Sequence, residues 1–311
     1  MAAISELAGA DDPVARREHS LDDADWVHIT PRGTEFGGDD PSGSVRGPLA
    51  SLIVACATAY RLRATLWILV QKEFKSRYRA QALGLFWSLA YPLFMMITVS
   101  FAFVFVLGIK VENFPIFYLI GAIFWHWFSN ALLSATSTFH EHGGLVKRTT
   151  FPRYLLPIAR VLSSFLSFLT EWGLVVAFYF IFPQAFNFTY RVFALPFLCL
   201  ILFVLLVGVS LLVSVLDVHY RDVYYMVSSV LTVGFWFSPI LYPVEKAPEQ
   251  LRWLFYLNPL TGIMEGARAI LMSGNWPNFW QLGAATAVAL LVFFVGCAAF
   301  RRHNLTLADH L

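Results

Sequence analysis

The sequence is short of charge. Asp, Glu, Lys and Arg make up 14% of its 311 residues, against about 25% in an ordinary soluble chain. A charged, aromatic-poor composition is what keeps a chain disordered or a soluble enzyme in solution, and both classes are excluded here. Cysteine is scarce as well. Cys56, Cys199 and Cys297 lie far apart with no C-x-x-C pair, which excludes a disulfide-stapled scaffold and leaves three small hydrophobes. No G-x-x-x-x-G-K-[ST] phosphate loop occurs, so this chain does not bind ATP in the P-loop manner. H-E-x-x-H, G-x-S-x-G and Rossmann glycine patterns are absent too. What is abundant is apolar surface: 58% hydrophobic residues, 30 Phe, 12 Tyr and 10 Trp, with a mean hydropathy of +0.63. The composition is that of an all-α polytopic membrane protein.

A net charge of +2 hides an asymmetry. Residues 1–60 hold 4 Lys/Arg and 10 Asp/Glu, whereas residues 61–311 hold 18 against 10. Residues 1–60 therefore read as an acidic, mostly disordered cytoplasmic tail, rich in Asp, Gly, Pro and Ser up to residue 48. The first apolar stretch begins near Leu49, behind that tail, and no cleavable signal peptide is expected.

A spanning helix needs about 20 mostly apolar residues. Six such runs occur in residues 83–311: Leu83–Leu107 with Pro92 inside it, Phe114–Thr138, Leu155–Phe182, Phe193–Leu216, Val223–Leu241 and Trp280–Phe300. Orientation follows from where Lys and Arg collect. With the N-terminus cytoplasmic, inside segments hold twelve: Arg61, Arg63, Lys72, Lys75, Arg77, Arg79, Lys147, Arg148, Arg153, Arg221, Arg301 and Arg302. Outside segments hold five: Lys110, Arg191, Lys246, Arg252 and Arg268. Six spans with both termini inside fit this count.

Residues 61–82 differ in character. Leu62, Leu66, Val70, Phe74 and Tyr78 recur every four residues, with Arg61, Lys72, Lys75 and Arg79 opposite. This pattern predicts an amphipathic interfacial helix whose cations meet anionic lipid head groups, against the alternative of a solvated linker. Glu73 and Arg77 fall on its apolar side at a spacing that permits pairing. Residues 242–279, the longest external segment, are rich in apolar residues. Pro248 and Pro259 each suit the first turn of a short helix, and two re-entrant helices buried against protein would satisfy their own ends.

His140-Glu141-His142 is the one dense ligand-like cluster, read as a solvated turn ahead of a metal site. The spans carry few ionisable groups, namely His126, Glu171 and Arg160 near an end. That is thin for an ion-driven carrier, so the energy for transport is expected from elsewhere. The loop over 139–154, with Gly143-Gly144, a basic stretch and Phe151-Pro152-Arg153, fits a short surface helix that enters a partner's cleft. The same residues fit a positive-inside anchor. Aromatic residues run through the middle of spans, where interface belts do not explain them. Trp87, Tyr91, Tyr224 and Tyr225 are candidates for a conduit wall that stacks on sugar C–H faces, with ordinary packing as the alternative.

Lys72-Glu-Phe-Lys-Ser-Arg-Tyr-Arg79, Leu83-Gly-Leu-Phe-Trp87, Tyr91-Pro92, Leu145–Pro157, Tyr220-Arg-Asp222, Ser238-Pro-Ile-Leu-Tyr-Pro243 and Asn258-Pro259 follow one another in order across residues 61–300. Together these strings resemble the permease subunit of ATP-binding-cassette exporters of polysaccharides, of the O-antigen and teichoic-acid type. The resemblance implies a homodimer of six-span subunits in a bacterial cell membrane, with two separate ATPase subunits carrying ATP and Mg. No cofactor, metal or nucleic acid is implied for this chain. Leu145, Lys147, Arg148, Phe151, Pro152, Arg153 and Tyr154 resemble the coupling helix that docks on the ATPase. Lys72, Lys75, Arg77 and Arg79 would lie near the substrate's diphosphate. Ser238, Pro239, Tyr242, Pro243, Asn258 and Pro259 resemble the external gate, and Arg221 with Asp222 matches the family's cytoplasmic Arg-Asp pair. The implied substrate is a polysaccharide on a polyprenyl diphosphate lipid, moved outward. The acidic tail departs from most of the family and is similar to that of actinobacterial members, including the mycobacterial galactan exporter. Two rival readings stand beside this one: a permease for a small lipid or drug, and a membrane-embedded transferase built on Asp217 and Asp222.

Overall fold

The computed structural model describes residues 60–78, 85–108, 111–144, 152–220 and 222–303. The acidic tail, Arg79, Leu145, Lys147, Arg148, Phe151 and Arg221 lie outside the described residues. Every regular element among the described residues is helical. α1 (Arg63–Tyr78) is followed by α2 (Leu85–Ser100), which continues as a π-helical turn over Phe101–Val106. Next come α3 (Phe114–Thr136), the one-turn α4 (Thr138–Glu141), α5 (Leu155–Ile181) and α6 (Leu195–His219). α7 (Val223–Trp236), α8 (Arg252–Leu257), α9 (Pro259–Leu271) and α10 (Phe279–His303) complete the bundle.

Five helices are long and apolar enough to cross a membrane: Phe86–Val106, Phe114–Thr136, Leu155–Ile181, Tyr190–His219 and Phe279–His303. The remaining expected span differs. α7 has 14 residues, or about 21 Å at 1.5 Å per residue, against about 30 Å of hydrocarbon. Phe237–Leu241 is as apolar as the helix before it, but Ser238-Pro239 within it is a stop signal, because proline cannot continue a helix. The chain instead turns at Ser238-Pro239, where the Ile240 N–H donates to the Ser238 carbonyl at 2.7 Å.

α3 and α6 form the core, and α5, α9 and α10 pack around them. α6 and α10 make the closest approach. A Cβ on Gly208 would lie 2.5 Å from the Phe293 Cα, and one on Gly296 would lie 2.1 Å from the Gly208 carbonyl oxygen. Small residues here let two backbones touch, which is how apolar helices associate where lipid supplies no hydrophobic contrast. α1 packs along α5. Its buried stripe is Leu69, Val70 and Glu73, with Lys72 and Lys75 exposed on the other side. The amphipathic helix therefore lays its apolar face on protein.

Candidate functional site

Ionisable groups gather at two ends of the bundle. At the α4 end, α4 and the first turns of α5 bracket the segment 145–151. The Arg160 guanidinium reaches Glu73 on α1 with Nη1 and Glu141 on α4 with Nη2. His142 places Nε2 3.0 Å from Glu73 Oε1 and Nδ1 3.1 Å from the Thr138 carbonyl. Both ring nitrogens thus face oxygen atoms. His140 Nε2 lies 3.3 Å from Asp217 Oδ2 on α6. Side chains from α1, α4, α5 and α6 take part, and His140 Nε2 also lies 3.3 Å from the Asp217 carbonyl. The solvated-turn expectation for His140-Glu141-His142 is corrected at His142, which is buried, while His140 and Glu141 are exposed and each hold an ion pair. Arg160 and His142 take the Glu73 carboxylate, and Arg77 Nη1 donates to Ser167 Oγ at 3.4 Å. Burial raises the Glu73 pKa, but the His142 hydrogen bond and the Arg160 charge outweigh it and hold the carboxyl below its ordinary 4.5. No group of three His, Cys, Asp or Glu among the described residues is arranged to hold a metal ion.

Of the expected coupling residues, Pro152, Arg153 and Tyr154 are described. They form the half-buried turn into α5, with the Leu155 N–H donating to the Pro152 carbonyl at 3.0 Å. Asp222 is exposed and stands at the N-cap of α7.

At the α9 end one buried residue does most of the joining. Arg268 Nε donates to the Phe117 carbonyl at 3.1 Å, Nη1 to the Pro239 carbonyl at 2.6 Å and Nη2 to the Ile240 carbonyl at 3.3 Å. Nη1 also meets Glu265 Oε1 at 2.9 Å, and the guanidinium lies 3.5 Å from the Phe117 ring centre. Gly121 makes room for it, since a Cβ there would fall 2.4 Å from Nη2. The expected gate residues assemble beside this hub. Asn258 caps α9 by accepting from the Leu260 N–H at 3.0 Å, with Pro259 in the first turn. Its Nδ2 donates to Ser238 Oγ at 3.0 Å, and the Tyr242 hydroxyl donates to the Trp236 carbonyl. Pro243 leads into a 3-10 turn at Val244–Lys246. Sequence reading placed Arg268 in an external loop and missed its role. The available signal was a Glu265/Arg268 pair three residues apart in an otherwise apolar helix.

The candidate wall residues are all exposed: Trp87 and Tyr91 on α2, Tyr224 and Tyr225 on α7. Phe94, Phe101 and Phe105 continue the open face of α2. Behind Tyr91, with ring centres 5.6 Å apart, stands His126 of α3. Its Nδ1 lies 3.1 Å from Glu171 Oε2 of α5, so the two ionisable groups of mid-span pair with each other.

With this geometry in place, comparison with known proteins identifies the architecture. The profile of ABC-2 type transporters matches residues 64–272. The chain belongs to that family. An O-antigen export system permease protein of Klebsiella pneumoniae is 27% identical over 246 residues, 79% of this chain and 94% of the relative. One from Myxococcus xanthus is 26% identical over 254 residues, 81% and 97% of the two chains. A polysialic acid transport protein of Escherichia coli is 22% identical over 242 residues, 77% and 93%. As an ABC-2 transporter chain it is a multi-pass transport subunit. The aligned family region begins within α1 and ends just past α9, so both ionic clusters fall inside it.

Proposed function

We propose that this chain is the membrane subunit of an ATP-driven exporter moving a polyprenyl-diphosphate-linked polysaccharide from the cytoplasm to the outer side of a bacterial cell membrane. The supporting observation is that relatives named for O-antigen export and polysialic acid transport align over 77–81% of this chain and 93–97% of their own length. Two copies form the working transporter, and two separate ATPase chains supply the energy. The missing phosphate loop agrees with a motor on another chain. The α4 end faces the cytoplasm, in line with the Lys and Arg distribution. There the segment 145–154 meets the ATPase, and the Glu73–Arg160–Glu141 cluster carries its displacement to α1 and α5.

The test is depletion of this chain in its native cell, followed by analysis of polyprenyl-linked glycans on each side of the membrane. Accumulation of finished lipid-linked polymer inside is expected. Accumulation of unextended precursor would assign a synthetic step instead. Phe151→Ala and Arg153→Ala should leave the chain in the membrane while ATP hydrolysis no longer drives export, and normal export by both would remove the coupling role.

A further inference from the structure

α3 is apolar and largely buried, yet one stripe of it is neither. His126, Asn130, Ser134 and Ser137 succeed one another at steps of three or four residues, and all are partly or fully open. They run from the middle of α3 to its α4 end, so Asn130 lies about 9 Å and His126 about 15 Å inside the helix terminus at 1.5 Å per residue. Ser134 is satisfied by its own helix, donating to the Asn130 carbonyl at 2.7 Å. The Asn130 carboxamide is exposed and has no side-chain partner among the described residues. His126 spends Nδ1 on Glu171, which leaves Nε2 without one. At this depth lipid cannot satisfy either group, and polar side chains within spans face protein or water-filled space. Beside His126 stands the open ring of Tyr91, and Trp87, four residues earlier on α2, is open as well.

We propose that His126 and Asn130 form a hydrogen-bonding subsite for the sugar hydroxyls of the passing polymer, with Tyr91 and Trp87 offering the adjoining stacking faces. This rests on the export reading above and adds to it the residues that grip the substrate. The pairing of flat apolar rings with neutral donors and acceptors is the chemistry that fits a pyranose or furanose chain. Glu171 is a positioning residue. It fixes the imidazole so that Nε2, not Nδ1, faces the path.

The first test needs no substrate. In the assembled transporter with Cys56, Cys199 and Cys297 replaced, Asn130→Cys should react with a membrane-impermeant methanethiosulfonate at least tenfold faster than Leu200→Cys, an exposed position on α6. Equal slow rates would place Asn130 in lipid, and oxidative cross-linking of Asn130→Cys between copies would place it in a dimer contact. Either result overturns the proposal. The second test measures export of the native polymer. Asn130→Leu and His126→Leu should each raise the substrate concentration needed for half-maximal export about fivefold, the equivalent of one neutral hydrogen bond. Asn130→Gln and His126→Gln should recover most of it. Leucine variants with unchanged half-saturation would refute the subsite. A wild-type transporter that moves no polysaccharide would refute the export reading instead, leaving the labelling result to stand by itself.

Discussion

The two ends of the bundle hold their helices together in opposite ways. At the α4 end, six side chains from four elements meet one another, and Glu141 is half exposed. At the α9 end, one guanidinium, buried to 4% exposure, holds three backbone carbonyls from two separate stretches. Side chain to side chain contacts can exchange partners when a helix shifts. A planar fork bonded to fixed carbonyls is far less free to, because Nε, Nη1 and Nη2 each bond a backbone oxygen, with Glu265 sharing Nη1. The contrast makes the α4 end suited to receiving motion and the α9 end suited to resisting it.

The largest effect should follow from breaking the rigid end. Arg268→Leu leaves the half-buried Glu265 without its partner and three carbonyls unmet, a loss of about 3 kcal/mol. We expect little folded chain in membrane extracts, measured by monodisperse recovery in detergent. Arg268→Lys should recover only part of it, since one ammonium cannot span the three carbonyls. Full recovery by lysine would mean that charge alone matters there.

Breaking the α4 end should cost function before stability. Arg160→Gln should give normal membrane levels with export reduced about tenfold, roughly 1.4 kcal/mol of coupling, while ATP hydrolysis continues. A variant that fails to accumulate would make this cluster structural, like the other end. A smaller effect is expected at the Asn258–Ser238 contact. Asn258→Ala removes the α9 cap and the Ser238 contact together, and about 1 kcal/mol of stability should be lost, read as a lowered melting temperature. An unchanged value would detach the Ser238 turn from α9.

The smallest effect concerns pH. Because the folded state holds Glu73 below 4.5, its contribution is present above that value and is lost as pH falls through the depressed one. The melting difference between wild type and Glu73→Gln should therefore stay constant down to about pH 4.5 and shrink only below it. A difference that vanishes already at pH 6 would show that the carboxylate is not held by Arg160 and His142.

Much of this fold is legible in the sequence, because long apolar runs such as those of α5, α6 and α10 state their own length. The end of α7 is legible only in part: Ser238-Pro239 marks a turn, since proline cannot continue a helix, but the arginine some thirty residues downstream that bonds the Pro239 and Ile240 carbonyls is not visible there. The same limit hid the site partners. His126 meets Glu171 across 45 positions, and Arg268 meets Phe117 across 151. Periodicity assigns a residue to a face of its own helix and says nothing of which distant helix lies opposite. The candidate wall rings were found because aromatic residues in mid-span are anomalous by themselves. Asn130 escaped because a single amide in a long apolar helix reads as noise until its neighbours are seen to leave it open.

The most direct measurement is reconstitution of this chain with its ATPase partner in vesicles loaded with the lipid-linked glycan on the ATPase side. The account predicts ATP-dependent appearance of the glycan on the far side, reported by a lectin or a glycosidase that cannot cross the membrane, and its loss in Arg153→Ala despite continuing ATP hydrolysis. Hydrolysis by the wild-type complex with no glycan crossing would contradict it.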